Sequence, residues 1–493
     1  MARRFLLALA AMFAAAFAAP ACAQPAPSFA SSGDVGFDAW RAGFAERAVS
    51  RGRDPEIVRR LLSGLAPDDD VIAADRRQPE FVSPVWDYVN RAVSASRIER
   101  GRQRRAELGP VLLQVAGRYG VDPDIILGIW GLESDFGRAA LPYEAPSALA
   151  TLAFEGRRRA QFETYLLALI EMVERGYAGP QELRSSWAGA LGQPQFMPDV
   201  YLTTAADWDG DGHRDIWTNP GDIAASIANY LKDRGWRTGE PTFVEVRLPA
   251  AFAYELADGR RQTLAAWAQA GVALPDPAAS APAAWAASNP AAEAELFLPA
   301  GAQGPALLLL PNFQVIRRYN ASDRYALAVS LLARGFAGAP STLAARWPTE
   351  LGSLQRGEIL ELQTLLNGLG LSAGVADGQF GSNTRRAVRA FQASRGLPAD
   401  GFPTAALLND VRRAAGVTAP DPTSAPAARP LDAAGVRELQ RRLNRLGYNA
   451  GAADGVIGTQ TRTAIRAFER RAGRTVTGRA TTGVLEAVRA AAR

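Results

Sequence analysis

Glu133 is the first residue whose setting suggests chemistry. Residues 119–137 read YGVDPDIILGIWGLESDFG. Asp122 can cap a helix there, and Pro123 can occupy its first turn, where no backbone N–H is needed. Ile126, Ile129, Trp130 and Glu133 then recur at spacings of three and four, so they share one helical face. A carboxylate that ends an apolar stripe loses solvent when the stripe is buried. Desolvation disfavours the charged form, raises the pKa and keeps the group protonated near neutral pH, as a general acid requires. The competing reading is a helix-end glutamate turned to solvent or paired with arginine, and this segment alone leaves both open. Asp135 lies two residues on, which on a helix points it away from Glu133 and makes it a poor second catalyst. His213 is the only histidine and Cys22 the only cysteine of the 493 residues. Carboxylates are therefore the main candidates for acid/base work.

Residues 186–198, SWAGALGQPQFMP, form the second cluster. Gly189 and Gly192 permit tight backbone, while Gln193 and Gln195 offer amide donors and acceptors suited to sugar hydroxyls and N-acetyl groups. A polar loop anchored by buried Phe196 and Met197 is the plainer alternative. The third cluster is Asp207-Trp208-Asp209-Gly210-Asp211-Gly212-His213. Aspartates at loop positions one, three and five with glycine at six match the start of an EF-hand calcium loop. His213 at position seven would contribute its backbone carbonyl. Position twelve is Thr218 instead of glutamate, and Asp222 is the nearest carboxylate able to close the site through a longer loop. The triple aspartate favours a structural Ca2+ over a metal-free turn.

Several elements must position these groups. Residues 24–346 are mostly helical in pattern, with short apolar runs at 242–248 and 296–310 that read as strands of a small β-rich insertion. The Ala/Pro-rich residues 275–290 read as a surface excursion. The tail holds an internal repeat with an offset of 77 residues: Leu362-Gln363 recurs as Leu439-Gln440, Asn367 as Asn444, Asp377-Gly378 as Asp454-Gly455 and Phe391 as Phe468. Two copies mean a duplicated small domain, since a solenoid needs about three. Each copy reads helix, loop, helix, with Ser382 or Thr459 able to cap the second helix. The expected domains are thus 24–346, 355–415 and 432–493, with a Pro/Ala-rich linker at 416–431.

The N-terminus reads as an export signal: Arg3 and Arg4, an apolar run over residues 5–19, and Ala21-Cys22-Ala23 as a cleavage site. Residues 1–23 would be removed, taking the cysteine with them and excluding disulfides and thiol catalysis. A lipid anchor on Cys22 is the alternative, weakened because Ala19-Pro20-Ala21 lacks leucine. The formal charge of +5 is mild. It suits an anionic polymer, and no arginine block is dense enough for nucleic acid.

Taken together, these segments resemble the B-type lytic murein transglycosylases over most of residues 37–337. The resemblance rests on Asp75-Arg76 with Gln78-Pro79-Glu80-Phe81, on Gly131-Leu132-Glu133-Ser134 with Phe136-Gly137, and on Ala188-Gly189-Ala190 through Pro198. Further carriers are the Asp-Gly-Asp-Gly-His loop, Asn229-Tyr230, and Arg318-Tyr319-Asn320 with Tyr325. It implies a mainly α fold: a lysozyme-like α-helical catalytic core with an added α subdomain and the small β-rich insertion, followed by two small three-helix-type domains. The tail resembles the peptidoglycan-binding domain of wall hydrolases, and its second copy departs from the pattern with Ile457, Glu469 and Thr477. By matching, Glu133 is the catalytic residue. Ser186, Gln195, Tyr230, Tyr319 and Asn320 contact the glycan, and Asp207, Asp209, Asp211, His213 and Asp222 hold calcium. The implied reaction cleaves the bond between N-acetylmuramic acid and N-acetylglucosamine and leaves a 1,6-anhydro end. A hydrolytic muramidase and a non-catalytic wall-binding protein are the rival readings. Expected partners are peptidoglycan strands and proteins of a wall-synthesis complex, with no nucleic acid. The expected state is a monomer, and the expected compartment is the periplasm.

Overall fold

Helix Pro123–Ser134 runs through the middle of the body, and its own sequence explains its start. The Asp122 carboxylate accepts the N–H of Asp124 at 2.8 Å, with Pro123 in the first turn. Every residue from Asp124 to Gly131 is buried. Gly128 lets helix Asp323–Phe336 approach: a Cβ there would sit 2.9 Å from the Val329 carbonyl oxygen. These are features of a computed structural model that describes residues 27–76, 84–352, 354–417, 431–472 and 478–491. The export signal with Cys22, the motif at 78–81, Thr477 and nearly all of the linker lie outside the described residues.

The chain divides into two compact units, a larger one that runs to Arg356 and also takes in Gln392–Phe402, and a smaller one of Gly357–Phe391 with the residues from Pro403 on. In the larger unit, helices Ala95–Glu107, Gly109–Tyr119, Pro220–Asp233 and Asp323–Phe336 pack against the buried helix, and Val35–Ser50, Ala145–Glu155 and Arg159–Glu174 build a neighbouring layer of the same core. Phe37, Phe44, Ile126, Trp130, Leu149, Leu166, Ile227 and Leu327 belong to one continuous core. Each such side chain contributes about 1.5–3 kcal/mol on burial. No helix among the described residues is long and apolar enough to cross a membrane.

The β-rich insertion is a four-stranded antiparallel sheet in the order Phe243–Val246, Ala306–Leu309, Glu293–Phe297, Arg261–Thr263. Strand alternation splits its residues between two cores. Phe243, Leu307 and Leu309 face the main core, whereas Val244, Val246, Leu296 and Leu308 join Phe252 and Trp267 in a second one. The edge strand Arg261–Thr263 is polar and carried no apolar signal. Residues 275–290 are not a plain surface excursion. Ser280 caps a helix, Ala281–Ser288, whose Ala283 and Ala286 are each only 1% exposed. Around residue 346 the chain still packs on the body. The Trp347 ring lies 6.2 Å from that of Trp86, and the N–H groups of Ala344 and Ala345 donate to Glu245.

Each tail copy contains three helices: Arg356–Gly368, Ser382–Ser394 and Ala405–Ala414, then Ala433–Arg445, Thr459–Arg471 and Thr482–Ala491. Ser382 and Thr459 open their helices instead of capping them, and in the second copy Gly458 takes the cap position. The repeated glutamines act as buried pins. The Gln363 Oε1 accepts the N–H groups of Asp377 and Gly378, and Gln440 Oε1 accepts that of Gly455. Gln392 accepts from Gly401 N, and Glu469 accepts from Gly478 N, both at 2.8 Å. The exchange of Gln392 for Glu469 therefore bears on the fold, because a carboxylate supplies the same acceptor.

Candidate active site

The sharp end of helix Pro123–Ser134 sets the position of Glu133 in its last turn. Asp135, Phe136 and Gly137 all take left-handed backbone, with φ of 50°, 59° and 83°. For residues with a Cβ this costs roughly 1–2 kcal/mol each, so the surroundings must impose it. Asp135 is held by Arg100 at 2.8 Å and Arg97 at 3.6 Å. Phe136 is buried between Trp130 and Phe336, at ring separations of 6.1 and 6.3 Å. Gly137 N–H donates to Ser134 Oγ. Asp135 is thus committed to arginines.

Glu133 is half-buried. Protein packed around its carboxyl nevertheless pushes its pKa up to about 7, and the Tyr325 hydrogen bond opposes that rise. No other carboxylate contributes to the shift. The Tyr325 hydroxyl donates to Glu133 Oε1 at 2.6 Å. With Oε1 accepting from Tyr325, Oε2 is the oxygen available to carry the proton of the neutral acid. Tyr325 comes from helix Asp323–Phe336, where Ser322 caps the first turn and Tyr325, Val329 and Leu332 form a buried stripe. Tyr325 and Tyr319 are both raised well above the usual tyrosine range, first by burial and then by the Glu133 charge. Tyr88, from helix Val85–Ala92, is raised by the same two causes. Three tyrosines thus surround the acid electrostatically. The sequence pointed to Tyr325 only as part of a motif and gave no role to Tyr88.

Tyr319 ends helix Pro311–Tyr319 and donates its hydroxyl proton to the Pro194 carbonyl at 2.7 Å. Its ring lies 4.6 Å from that of Tyr230 and 6.0 Å from that of Phe196. Tyr230 is only 8% exposed, and its hydroxyl is spent on the Arg318 carbonyl. It therefore supports Tyr319 from behind. Asn320 is exposed just past the helix end.

The loop bearing Ser186 and Gln195 folds back on itself through bridges between Ser185 and Leu191 and between Leu191 and Phe196. Gly189, at φ 83°, presses on Leu149, and a Cβ there would approach it to 2.4 Å. Ser186 Oγ accepts the Ala190 N–H. Gln195 sits at φ 55° and donates its amide to the Gly192 carbonyl. Gln193 is not available to a ligand. Its Oε1 accepts the Trp130 indole N–H at 2.6 Å, and its Nε2 donates to the Trp217 carbonyl at 2.7 Å. It ties the acid-bearing helix to this loop. Beyond the loop, Arg158, Phe162, Tyr165, Trp187 and Met197 line a cavity of about 150 Å3. Nearby, Asp75 pairs with Arg157 and Arg158.

Asp207, Asp209 and Asp211 converge, with one oxygen from each within 4.8 Å of the others. Such a set of hard oxygens fits calcium. His213 is exposed, and its N–H donates to Asp211 Oδ1. Asp222 stands apart from this group. It is fully buried, and its two oxygens accept the N–H groups of Trp208 and Asp215, both at 2.7 Å. It anchors the loop to helix Pro220–Asp233.

The family model described as "Transglycosylase SLT domain" matches residues 36–334, and that described as "Putative peptidoglycan binding domain" matches residues 355–409 and 432–488. The chain is 31% identical over 303 residues to membrane-bound lytic murein transglycosylase B of Escherichia coli (strain K12), covering 59% of this chain and 77% of that one. The crystal structure of SltB3 from Pseudomonas aeruginosa in complex with NAG-anhNAM-pentapeptide aligns at 43% identity and a TM-score of 0.71, over 77% of this chain and all of the other. The Escherichia coli lytic transglycosylase Slt35 in complex with calcium aligns at 30% identity and a TM-score of 0.51, over 60% of this chain and 92% of the other. The matched stretch runs from before the acid-bearing helix to the helix that supplies Tyr325, and over that length the chain belongs to the SLT transglycosylase family and is a peptidoglycan lytic transglycosylase.

Proposed function

We propose that Glu133 serves as the single acid and base of this reaction. The observation that carries the reading is its carboxyl, pushed up to about 7 by burial with no second carboxylate acting on it. A retaining hydrolase needs a partner carboxyl about 5–5.5 Å away, and an inverting one needs room for a water between two. The nearest acid in sequence, Asp135, is bound to arginines. Protonated Glu133 gives its Oε2 proton to the glycosidic oxygen between N-acetylmuramic acid and N-acetylglucosamine, and the bond from that oxygen to the muramoyl C1 breaks. The resulting carboxylate then takes the proton of the muramoyl 6-hydroxyl, whose oxygen bonds to C1. The product is a 1,6-anhydro end, no water is consumed, and Glu133 regains its proton. Through the cycle the Tyr325 hydrogen bond on Oε1 holds the carboxyl in one orientation and stabilises its charged state.

Tyr319, Ser186, Gln195 and Asn320 are read as glycan contacts, and the aromatic cavity beside Trp187 as a place for a further sugar. Asp207, Asp209 and Asp211 would hold a structural calcium ion, with the His213 carbonyl, and Asp222 would act by fixing the loop. The enzyme would work in the periplasm after export, with the two tail domains holding it on the wall. Mass spectrometry of products released from purified sacculi tests the chemistry. Anhydro ends, one water lighter than reducing ends, are expected, and Glu133→Gln should release none. Reducing ends would mark a hydrolytic muramidase instead.

A further inference from the structure

The second tail copy is far more basic than the first. Residues 432–493 carry twelve arginines, no lysine and five acidic side chains, a formal charge of +7 against +5 for the whole chain. Residues 355–415 carry seven arginines and five acids. The excess is ordered along two helices. On helix Ala433–Arg445, Val436, Leu439, Gln440 and Leu443 are buried, while Arg437, Arg441 and Arg445 are exposed at a spacing of four. On helix Thr459–Arg471, Thr461, Ala464, Ile465, Phe468 and Glu469 are buried, and Arg462, Arg466 and Arg470 are exposed at the same spacing. Residues four apart are neighbours on a helix surface, so each set is a continuous cationic stripe.

The acids of this copy leave most of the stripes unneutralised, Asp454 beside Arg437 being the exception. Glu438 is held by Arg442 and Arg489, Asp432 caps the first helix, and Glu469 turns inward to Gly478. Among the described residues, Arg441, Arg445, Arg462 and Arg470 form no ion pair. Like charges four apart oppose helix formation, so the fold gains nothing from this arrangement. The offset of 77 places Leu360, Thr364 and Gly368 where the first stripe stands, and Ala393 opposite Arg470. The first stripe is thus peculiar to the second copy.

We infer that the second copy is an electrostatic grip for peptide-bearing peptidoglycan, with the arginine stripes binding the free carboxylates of the stem peptides. The inference rests on reading the chain as a wall enzyme. Guanidinium forks match carboxylates in geometry and remain charged at every working pH. The first copy has Leu360, 42% exposed, in place of Arg437, and keeps arginine at Arg385 and Arg389 in place of Arg462 and Arg466, with Arg389 buried.

The test uses the full-length protein and two quadruple variants, Arg441→Glu/Arg445→Glu/Arg462→Glu/Arg470→Glu and the same four positions to Gln. Co-sedimentation is measured with native sacculi, with sacculi whose carboxyls have been amidated, and with phosphatidylglycerol vesicles, each at low and high salt. A well-formed exposed ion pair strengthens binding by up to about five-fold, and four act together here. Both variants should therefore lose at least about ten-fold in sacculus binding at low salt. Amidated sacculi should bind the unaltered protein as weakly as native sacculi bind the variants. Thr364→Glu with Ala393→Glu, in the first copy, should change little. Sacculus binding unchanged in both variants, or insensitive to amidation, overturns the inference. So does loss confined to the vesicles, which would make the stripes a membrane contact. Cleavage of short soluble glycan fragments should stay at the unaltered rate in both variants, which shows that the body is intact. A protein that sediments as expected but releases no anhydro product would count against the catalytic reading and leave the grip standing.

Discussion

Replacing Tyr325 by phenylalanine removes one hydroxyl and keeps the ring that packs in the core. That hydroxyl donates to Glu133 Oε1 at 2.6 Å and is the one neighbour lowering the pKa of an acid that burial raises. A hydrogen bond to a charged group contributes about 1.5–3 kcal/mol, and one pKa unit corresponds to about 1.36 kcal/mol. Loss of the bond should therefore raise the Glu133 pKa further, by about one to two units. The resting enzyme must be protonated to begin a turnover, so activity falls at alkaline pH as Glu133 ionises. The pH dependence of kcat/KM on a soluble glycan fragment reports this group in the free enzyme. In Tyr325→Phe the alkaline limb should move up by one to two units, while the plateau drops on the order of ten-fold because a weaker, less oriented acid transfers its proton more slowly. An alkaline limb that stays at the unaltered position refutes the argument, since the hydroxyl would then not be bonded to the reacting carboxyl. A lowered melting temperature with an unmoved limb would mark Tyr325 as a packing residue alone.

Glu133→Gln should also alter stability with a defined sign. The folded-state pKa of about 7 lies above the ordinary 4.5, so the stabilising proton is fully bound below pH 4.5 and its contribution is lost as pH rises through 7. The Gln variant has no such loss. Relative to the unaltered protein it should gain up to about 3 kcal/mol between acid and mildly alkaline pH, read by denaturant titration at several pH values; parallel curves would contradict the raised pKa. Chelation should lower the melting temperature through the loop of Asp207, Asp209 and Asp211. An ion at about 100 times its dissociation constant adds about 2.7 kcal/mol, and an unchanged curve with no ion by elemental analysis would indicate a plain turn. Truncation after Gly352, which retains the Trp347 contact with Trp86, should leave a folded body that cleaves soluble fragments normally and intact sacculi poorly. Two weak modules raise avidity by about 10²–10⁴-fold where both engage. Collapse of soluble-fragment cleavage in a folded truncated protein would make the tail part of the active architecture.

The sequence by itself determined what depends on near neighbours along the chain. Asp122, Pro123 and the stripe through Ile126 and Trp130 define the acid-bearing helix because capping and helical periodicity act within a few residues. The aspartate spacing from 207 to 211 carries its convergence in the same local way. The tail repeat was legible because two copies can be compared position by position, and its buried glutamines explain why those positions recur. Where the local signal was polar or Ala/Pro-rich, the reading fell short: strand Arg261–Thr263 exists only through pairing with Glu293–Phe297, and helix Ala281–Ser288 through burial of small alanines. The environment of Glu133 was decided by tertiary structure alone. Tyr325 is 192 residues from Glu133 in sequence, Gln193 is 63 from Trp130, and Tyr319 is 125 from Pro194. Amino-acid order can supply a glutamate on an apolar face, but its pKa and the oxygen that carries its proton depend on which distant side chains exclude water and which one donates to it.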